Sequence, residues 1–283
     1  MKTPSIFEKS LLCSYFGIIS IPFVRTSAPS AVYDSAAQRE LIQGLLLWCE
    51  VMGFALITGA SGVGKSLCIR RFAADIDESR FAVFRVPYLT STVYGFLRLL
   101  NRALGLDFRQ HTTDLFHAAQ QFLVTYKSET GKHPILIIDD AEGLMPPIAD
   151  VLCRLSIYDG DAEDRFSILI SGIENLLEVL LLHIIEPLRS RFSYVHSLKP
   201  FGLEDTQNYM AHHLQMAAAP PDLFTEDAVR LIFQTSLGKP RIINQLAISA
   251  LINATIKRHP KIDAVQIRSL LAANPLFKSF QEF

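Results

Sequence analysis

Between about residues 35 and 200, short apolar runs alternate with stretches of helical periodicity. The runs are Phe54–Thr58, Phe81–Val86, Ile135–Asp139, Phe166–Ile170 and Tyr194–Leu198. Their near-continuous hydrophobicity is the pattern of strands buried on both faces, not of strands with one wet side. Helical segments fall between them, such as Asp114 to Tyr126 behind the capping residues Thr112 and Thr113. Strand and helix in alternation predict a parallel sheet covered by helices on both sides. At Lys199-Pro200-Phe201-Gly202 the pattern changes. From there only helical periodicity remains, roughly Glu204 to Met216, Thr225 to Thr235, Pro240 to Lys257 and Asp263 to Leu271, punctuated by Pro220-Pro221 and His259-Pro260. The expected organisation is an N-terminal segment (1–34), an α/β core (35–200), a small all-helical domain (201–275) and a tail (276–283).

Composition narrows the classes. The 283 residues can bury a full core and make one large domain or a core with a small second one. With 27 basic and 28 acidic residues the chain is nearly neutral, which excludes a histone-like polybasic protein, so any DNA contact must come from local patches. A 49% apolar and 19% charged composition is rich for an isolated monomer and points to self-association. Cys13, Cys49, Cys68 and Cys153 are scattered among apolar residues without paired spacing, as buried thiols of a reducing compartment would be. Lys2 and Lys9 before the apolar run Leu11 to Val24, with Ser27-Ala28 after it, imitate a signal peptide. Pro22, Ser14 and Ser20 interrupt that pattern, and the nucleotide motif below belongs in the cytoplasm. This run and Leu176 to Leu188, which contains Glu178, His183 and Glu186, are too short to span a bilayer, so no membrane segment is expected.

The strongest chemical signal is Gly59-Ala60-Ser61-Gly62-Val63-Gly64-Lys65-Ser66, a complete G-x-x-x-x-G-K-[ST] directly after the first strand and before a helix. Glycines let the backbone turn tightly with its N–H groups pointing inward, and a helix start adds its positive dipole end. The backbone from Gly59 to Leu67 would cradle the phosphates of ATP, Lys65 would reach the outer ones, and the Ser66 hydroxyl would ligate Mg²⁺. A second signal is Ile135 to Ile138 ending in Asp139-Asp140, which delivers carboxylates to the C-terminal edge of the sheet. Asp139 is the candidate for a water-mediated Mg²⁺ partner. Asp140 is the candidate for polarising the attacking water, with Glu142 as a rival and a helix-capping role as the alternative for Asp140 alone.

These motifs, with the helical domain behind them, resemble the AAA+ class of P-loop ATPases. More narrowly the chain is similar to transposition helper ATPases of the TniB and TnsC type and to the ATPase module of the secretion protein ExeA. The likeness runs through Tyr15-Phe16-Gly17, Pro22-Phe23, the phosphate loop, Asp139-Asp140 and Pro187 to Phe192. It continues through Leu198 to Phe201, Leu223 to Ala228 and Gly238 to Asn244. The resemblance implies that Arg191, with Arg189 as fallback, is an arginine finger acting on the ATP of a neighbouring subunit, which requires oligomerisation. It further implies that Arg241 is a second sensor of the nucleotide and that Ser171 or Asn175 is the first. Spacing alone reads Arg189 and Arg191 as a solvated pair near a helix end, and Arg241 as an exposed residue of a first helical turn. Many relatives carry Glu where this chain has Asp140; the shorter side chain displaces the water, so slow hydrolysis is expected.

Other signals carry less. Asp159 to Asp164 opens like a calcium loop but has Asp164 and Ile170 where Gly and Glu are needed. His212-His213 has no metal-ligand spacing, and Ser61 lacks the final glycine of a nucleophile elbow. From Lys239 onward, Lys239, Arg241, Lys257, Arg258, Lys261, Arg268 and Lys278 face only Asp263 and Glu282, and Arg98, Arg102 and Arg109 form a smaller group. Neither interleaves aromatics as a single-strand platform does, and a solvated helix face explains each group at least as well. In an oligomer a few phosphate contacts per subunit multiply, so duplex DNA remains an eligible partner. The resulting expectation is a slow ATPase that assembles on duplex DNA and recruits a transposase through the N-terminal segment or Phe277 to Phe283, hydrolysis dismantling the assembly. The alternatives are an ExeA-like ATPase for secretion or envelope assembly, and a nucleotide-gated adaptor that does not hydrolyse.

Overall fold

The computed structural model describes residues 11–24, 33–157 and 164–274, beginning with a short helix α1 (Leu11–Phe16). The chain partitions into two compact units: residues 36–199, and residues up to 35 together with those from 200 onward.

In the first unit, helix α2 (Ala36–Val51) leads into β1 (Phe54–Thr58), α3 (Lys65–Asp75), β2 (Phe81–Val86), α4 (Val93–Ala103) and α5 (Thr112–Thr130). There follow β3 (His133–Ile138), α6 (Pro146–Ser156), β4 (Ser167–Ser171), α7 (Asn175–Leu180), α8 (Glu186–Arg189) and β5 (Phe192–Ser197). The strands form a sheet of order β2-β3-β4-β1-β5 with every pairing parallel. The expected apolar runs and the observed strands coincide closely, for the reason anticipated: β1, β3 and β4 are buried along their whole length. β3 starts two residues early, at His133-Pro134, because both pair with β2 and are buried, and the His133 ring lies 2.9 Å from the Ser167 hydroxyl. Proline is tolerated at a strand start, where it disguises the strand in the sequence.

Alternation sorts each strand between two cores. Leu56, Leu136, Ile138, Ile168 and Ile170 pack with residues of α4, α5 and α6. Ala55, Ile57, Ile135, Ile137 and Leu169 pack with residues of α2 and α3, including Trp48, Ile69 and Phe72. The four cysteines are buried and free, and burial pushes the Cys49 thiol up to about 12.

The second unit is helical: α1 is joined by α9 (Leu203–Met216), α10 (Glu226–Ser236), α11 (Pro240–Lys257) and α12 (Ala264–Ala273). The apolar segment near the N-terminus owes its hydrophobicity to this core, in which Phe23 packs with Tyr209, Met210, Phe224 and Ile232. Ile19 N–H donates to Ala217 O at 3.0 Å, fastening the segment. Gly238 has φ 70°, and a Cβ there would lie 1.9 Å from Phe201 O, so only glycine permits the Phe201 N–H to Gly238 O bond of 2.9 Å. His213 packs against Tyr209 and Phe23, and burial lowers its pKa to about 4. The acidic run at 159–163 and the C-terminal tail lie outside the described residues. Among the described residues, no helix is long and apolar enough to cross a membrane.

Candidate functional site

The site begins where β1 ends. Thr58 is fully buried, and its O accepts from Leu198 N–H at 2.8 Å, so the backbone of residue 198 crowds the next residue. Gly59 has φ 150°, and a Cβ there would meet Leu198 O at 2.5 Å; no other residue fits. Gly62 and Gly64 also take positive φ, 83° and 111°, and close the loop onto the first turn of α3. Val63 is its buried anchor, packed with Cys68, Ile69 and Phe72. Gly64 supplies no side-chain cap to α3, leaving a helix N-terminus suited to an anion. Lys65, buried, donates its Nζ to Gly59 O at 2.8 Å and Ala60 O at 3.2 Å, which places an ammonium inside the curve of the loop. A cation and a helix N-terminus in one concavity make an electrostatic trap for phosphate.

The acidic half comes from β3. Its alternation puts Ile135 and Ile137 on the α2–α3 side, and Asp139, next in that series, continues on the side that carries the loop. Asp139 N–H is bonded to Val86 O at 3.1 Å, which keeps it in strand register. β4 lies between β3 and β1, so Asp139 stands about 10 Å from the end of β1, two strand spacings away. The Ser171 hydroxyl, at the end of β4, donates to Asp139 Oδ1, and so does the Asp140 N–H, at 3.1 Å. Ser171, not Asn175, is thus the residue coupled to Asp139; Asn175 opens α7 in an exposed position. Asp140 has φ 47° and ψ 54°, a left-handed conformation that a non-glycine residue holds only when its surroundings impose it. It stands at the N-cap of a 3-10 turn, Ala141–Gly143, and makes no side-chain cap hydrogen bond to it. Asp140 and Glu142 are both exposed. Ser66 and Asp139 offer oxygen donors only, a set that suits Mg²⁺.

The two arginines lie elsewhere. Arg191 immediately precedes β5, and its O accepts from Phe54 N–H at 3.2 Å, at the beginning of β1. The phosphate loop follows the end of the same five-residue strand, about 16 Å away. Arg189 is exposed, with Nη1 donating to Leu181 O at 3.3 Å, beside the exposed apolar side chains Leu181, Leu182 and Ile184. The structure therefore gathers Gly59 to Leu67, Asp139, Asp140 and Ser171 at one edge of the sheet and sets Arg189 and Arg191 at the other. Arg241 is carried by the first turn of α11, in the helical unit.

Two residues beside the loop escaped the sequence reading. Gln38, buried on the first turn of α2, brings its amide nitrogen to 3.0 Å from where a Gly64 Cβ would stand. Thr58 keeps a buried hydroxyl without a hydrogen-bond partner directly under the loop. Neither has a motif that would betray it.

Comparison with known proteins bears on the fold. A family model for the AAA domain matches residues 50–180, the span from the end of α2 to the end of α7. Cdc6p of Pyrobaculum aerophilum superimposes with a TM-score of 0.64 at 19% identity, over 92% of this chain and 70% of that one. The fold is that of an AAA+ P-loop NTPase. Drosophila ORC bound to DNA gives 0.62 at 15% identity, over 96% of this chain and 68% of that one. The Holliday junction branch migration motor RuvB of Thermotoga maritima gives 0.56 at 16% identity, over 89% and 73%. In sequence, general secretion pathway protein A of Aeromonas hydrophila is 26% identical over 256 residues, 88% of this chain. The match spans 46% of that protein, so this chain corresponds to under half of its length. The AAA domain and the P-loop neighbours accord with the ATPase chemistry expected from the motifs.

Proposed function

We propose that the protein is an ATP-hydrolysing assembly switch whose catalytic site is completed by a second copy of the chain. The carrying observation is that Lys65 Nζ, the start of α3 and the Asp139–Ser171 pair all lie at the C-terminal edge of the sheet. Lys65 and the loop amides hold the β- and γ-phosphates of ATP. Ser66 and Asp139 would hold Mg²⁺, which neutralises charge on the same phosphate oxygens. Asp140 orients the attacking water and accepts its proton, and the products are ADP and phosphate. Its short side chain makes this step slow. Arg191 of one copy supplies the guanidinium that stabilises the charge developing on the phosphoryl group bound by the next, with Arg189 beside it. The apolar side chains Leu181, Leu182 and Ile184 suit that face to contact between copies. Arg241 is assigned to sensing the nucleotide. The test is binding of a fluorescent ATP analogue: Lys65→Ala is expected to lose about a hundredfold in affinity, and full retained affinity would overturn the reading.

At a finer level the proposed role is that of a cytoplasmic transposition helper, assembling on duplex DNA in the ATP state and recruiting a transposase, with hydrolysis releasing it. Structural neighbours that include a Holliday junction branch migration motor and an ORC bound to DNA support this reading. A second reading, an ATPase of secretion or envelope assembly, is favoured by the secretion pathway relative. Duplex DNA added at low salt is expected to raise turnover or shift the assembly state; if it changes neither, the secretion reading takes precedence.

A further inference from the structure

Helix α4 is sharply two-faced. It buries Phe96, Leu97 and Leu100 and leaves Arg98 and Arg102, one turn apart, exposed. The segment after it is held firmly: Leu104 is buried, Leu106 N–H donates to Asn101 O at 2.9 Å, and Gly105 N–H donates to Arg102 O at 3.2 Å. Beneath it the buried Asn101 amide donates to Leu97 O at 2.8 Å and Leu115 O at 2.9 Å, tying α4 to α5. This fixed segment presents Phe108 with 63% of its surface exposed, and Arg109 next to it. The Arg98 guanidinium lies 4.9 Å from the centroid of the Phe108 ring and 5.6 Å from that of Tyr94. Asp107 and Asp114 are the acidic residues of the segment, yet among the described residues no carboxylate pairs with Arg98, Arg102 or Arg109. The fold thus interleaves aromatics with a basic group that looked bare of them in the sequence.

An exposed ring topped by a planar cation offers two flat surfaces on which a nucleobase stacks, and flanking arginines contact phosphates. Duplex DNA hides its base faces inside the stack, whereas unpaired nucleotides expose them. An acidic peptide would use the charges and leave the ring idle. We infer that Tyr94, Arg98, Arg102, Phe108 and Arg109 form a stacking platform for single-stranded nucleic acid. The platform stands on elements other than the phosphate loop and does not rest on the duplex contact proposed above.

Fluorescence anisotropy of the full chain with a labelled oligothymidylate, a duplex of the same length and a poly-glutamate peptide tests it. The single strand is expected to bind more tightly than the duplex, and Phe108→Ala to weaken it about tenfold. Phe108→Trp, which keeps a stacking face, is expected to preserve binding. Arg102→Ala with Arg109→Ala is expected to flatten the log–log salt slope by about 1.4, the signature of two lost phosphate contacts. Binding of the fluorescent ATP analogue, read on the same samples, reports an intact fold separately from the platform. Unchanged single-strand affinity in Phe108→Ala, or preferential binding of poly-glutamate at these residues, would overturn the inference.

Discussion

The two edges of one parallel sheet carry different chemical groups. At the C-terminal edge the loop after β1, the end of β4 and the end of β3 bring an ammonium, a helix N-terminus and a hydrogen-bonded carboxylate together within a single chain. At the N-terminal edge Arg189 lies beside the exposed Leu181 and Arg191 precedes β5, with the length of a strand between Arg191 and the phosphate loop. A guanidinium cannot reach across about 16 Å. The difference teaches that Arg189 and Arg191 cannot serve the phosphate loop of their own chain, so the proposed finger role requires a second copy. A head-to-tail contact of this kind joins unlike surfaces and propagates into a ring or filament.

This contrast can be broken from either edge. The largest effect is expected for Arg191→Ala, which should cut turnover about a thousandfold or more while leaving ATP-analogue affinity within a few-fold, as removal of a finger does; steady-state phosphate release measures it. At the opposite edge Asp140→Asn should slow turnover about a hundredfold. If it does not, Glu142 is the group that positions water. Ser171→Ala removes the hydroxyl that steadies Asp139 and is expected to cost about tenfold in turnover with little change in affinity. The smallest effect concerns His133, buried where β3 starts, whose pKa burial lowers to about 4. The folded state leaves this imidazole neutral while the unfolded chain takes up a proton near the ordinary value of about 6.5. The unfolded state therefore binds more protons, and stability should fall as pH drops from about 6.5 towards 4. Chemical denaturation across that window should show a shallower decline for His133→Gln.

How far the sequence foretold this depends on the range of each interaction. The loop was readable because its chemistry is spelled by consecutive residues, and the buried strands because their apolar runs are uninterrupted. The pairing of Ser171 with Asp139 depends on strand register, and Gln38 reaches the loop from another helix, so neither has a local signature. Likewise Phe23 sits among residues some two hundred positions away, which is why its segment looked like a leader. Arg98 and Phe108 meet only because α4 ends between them.

Subunit mixing tests the central claim most directly. Lys65→Ala chains keep the arginines and lose the phosphate site; Arg191→Ala chains keep the site and lose the finger. Each alone should be inactive, and a mixture should regain a substantial fraction of phosphate release, because intact sites then face intact arginines. A mixture as inactive as its components, or an Arg191→Ala protein that hydrolyses ATP at the parental rate, would contradict the account.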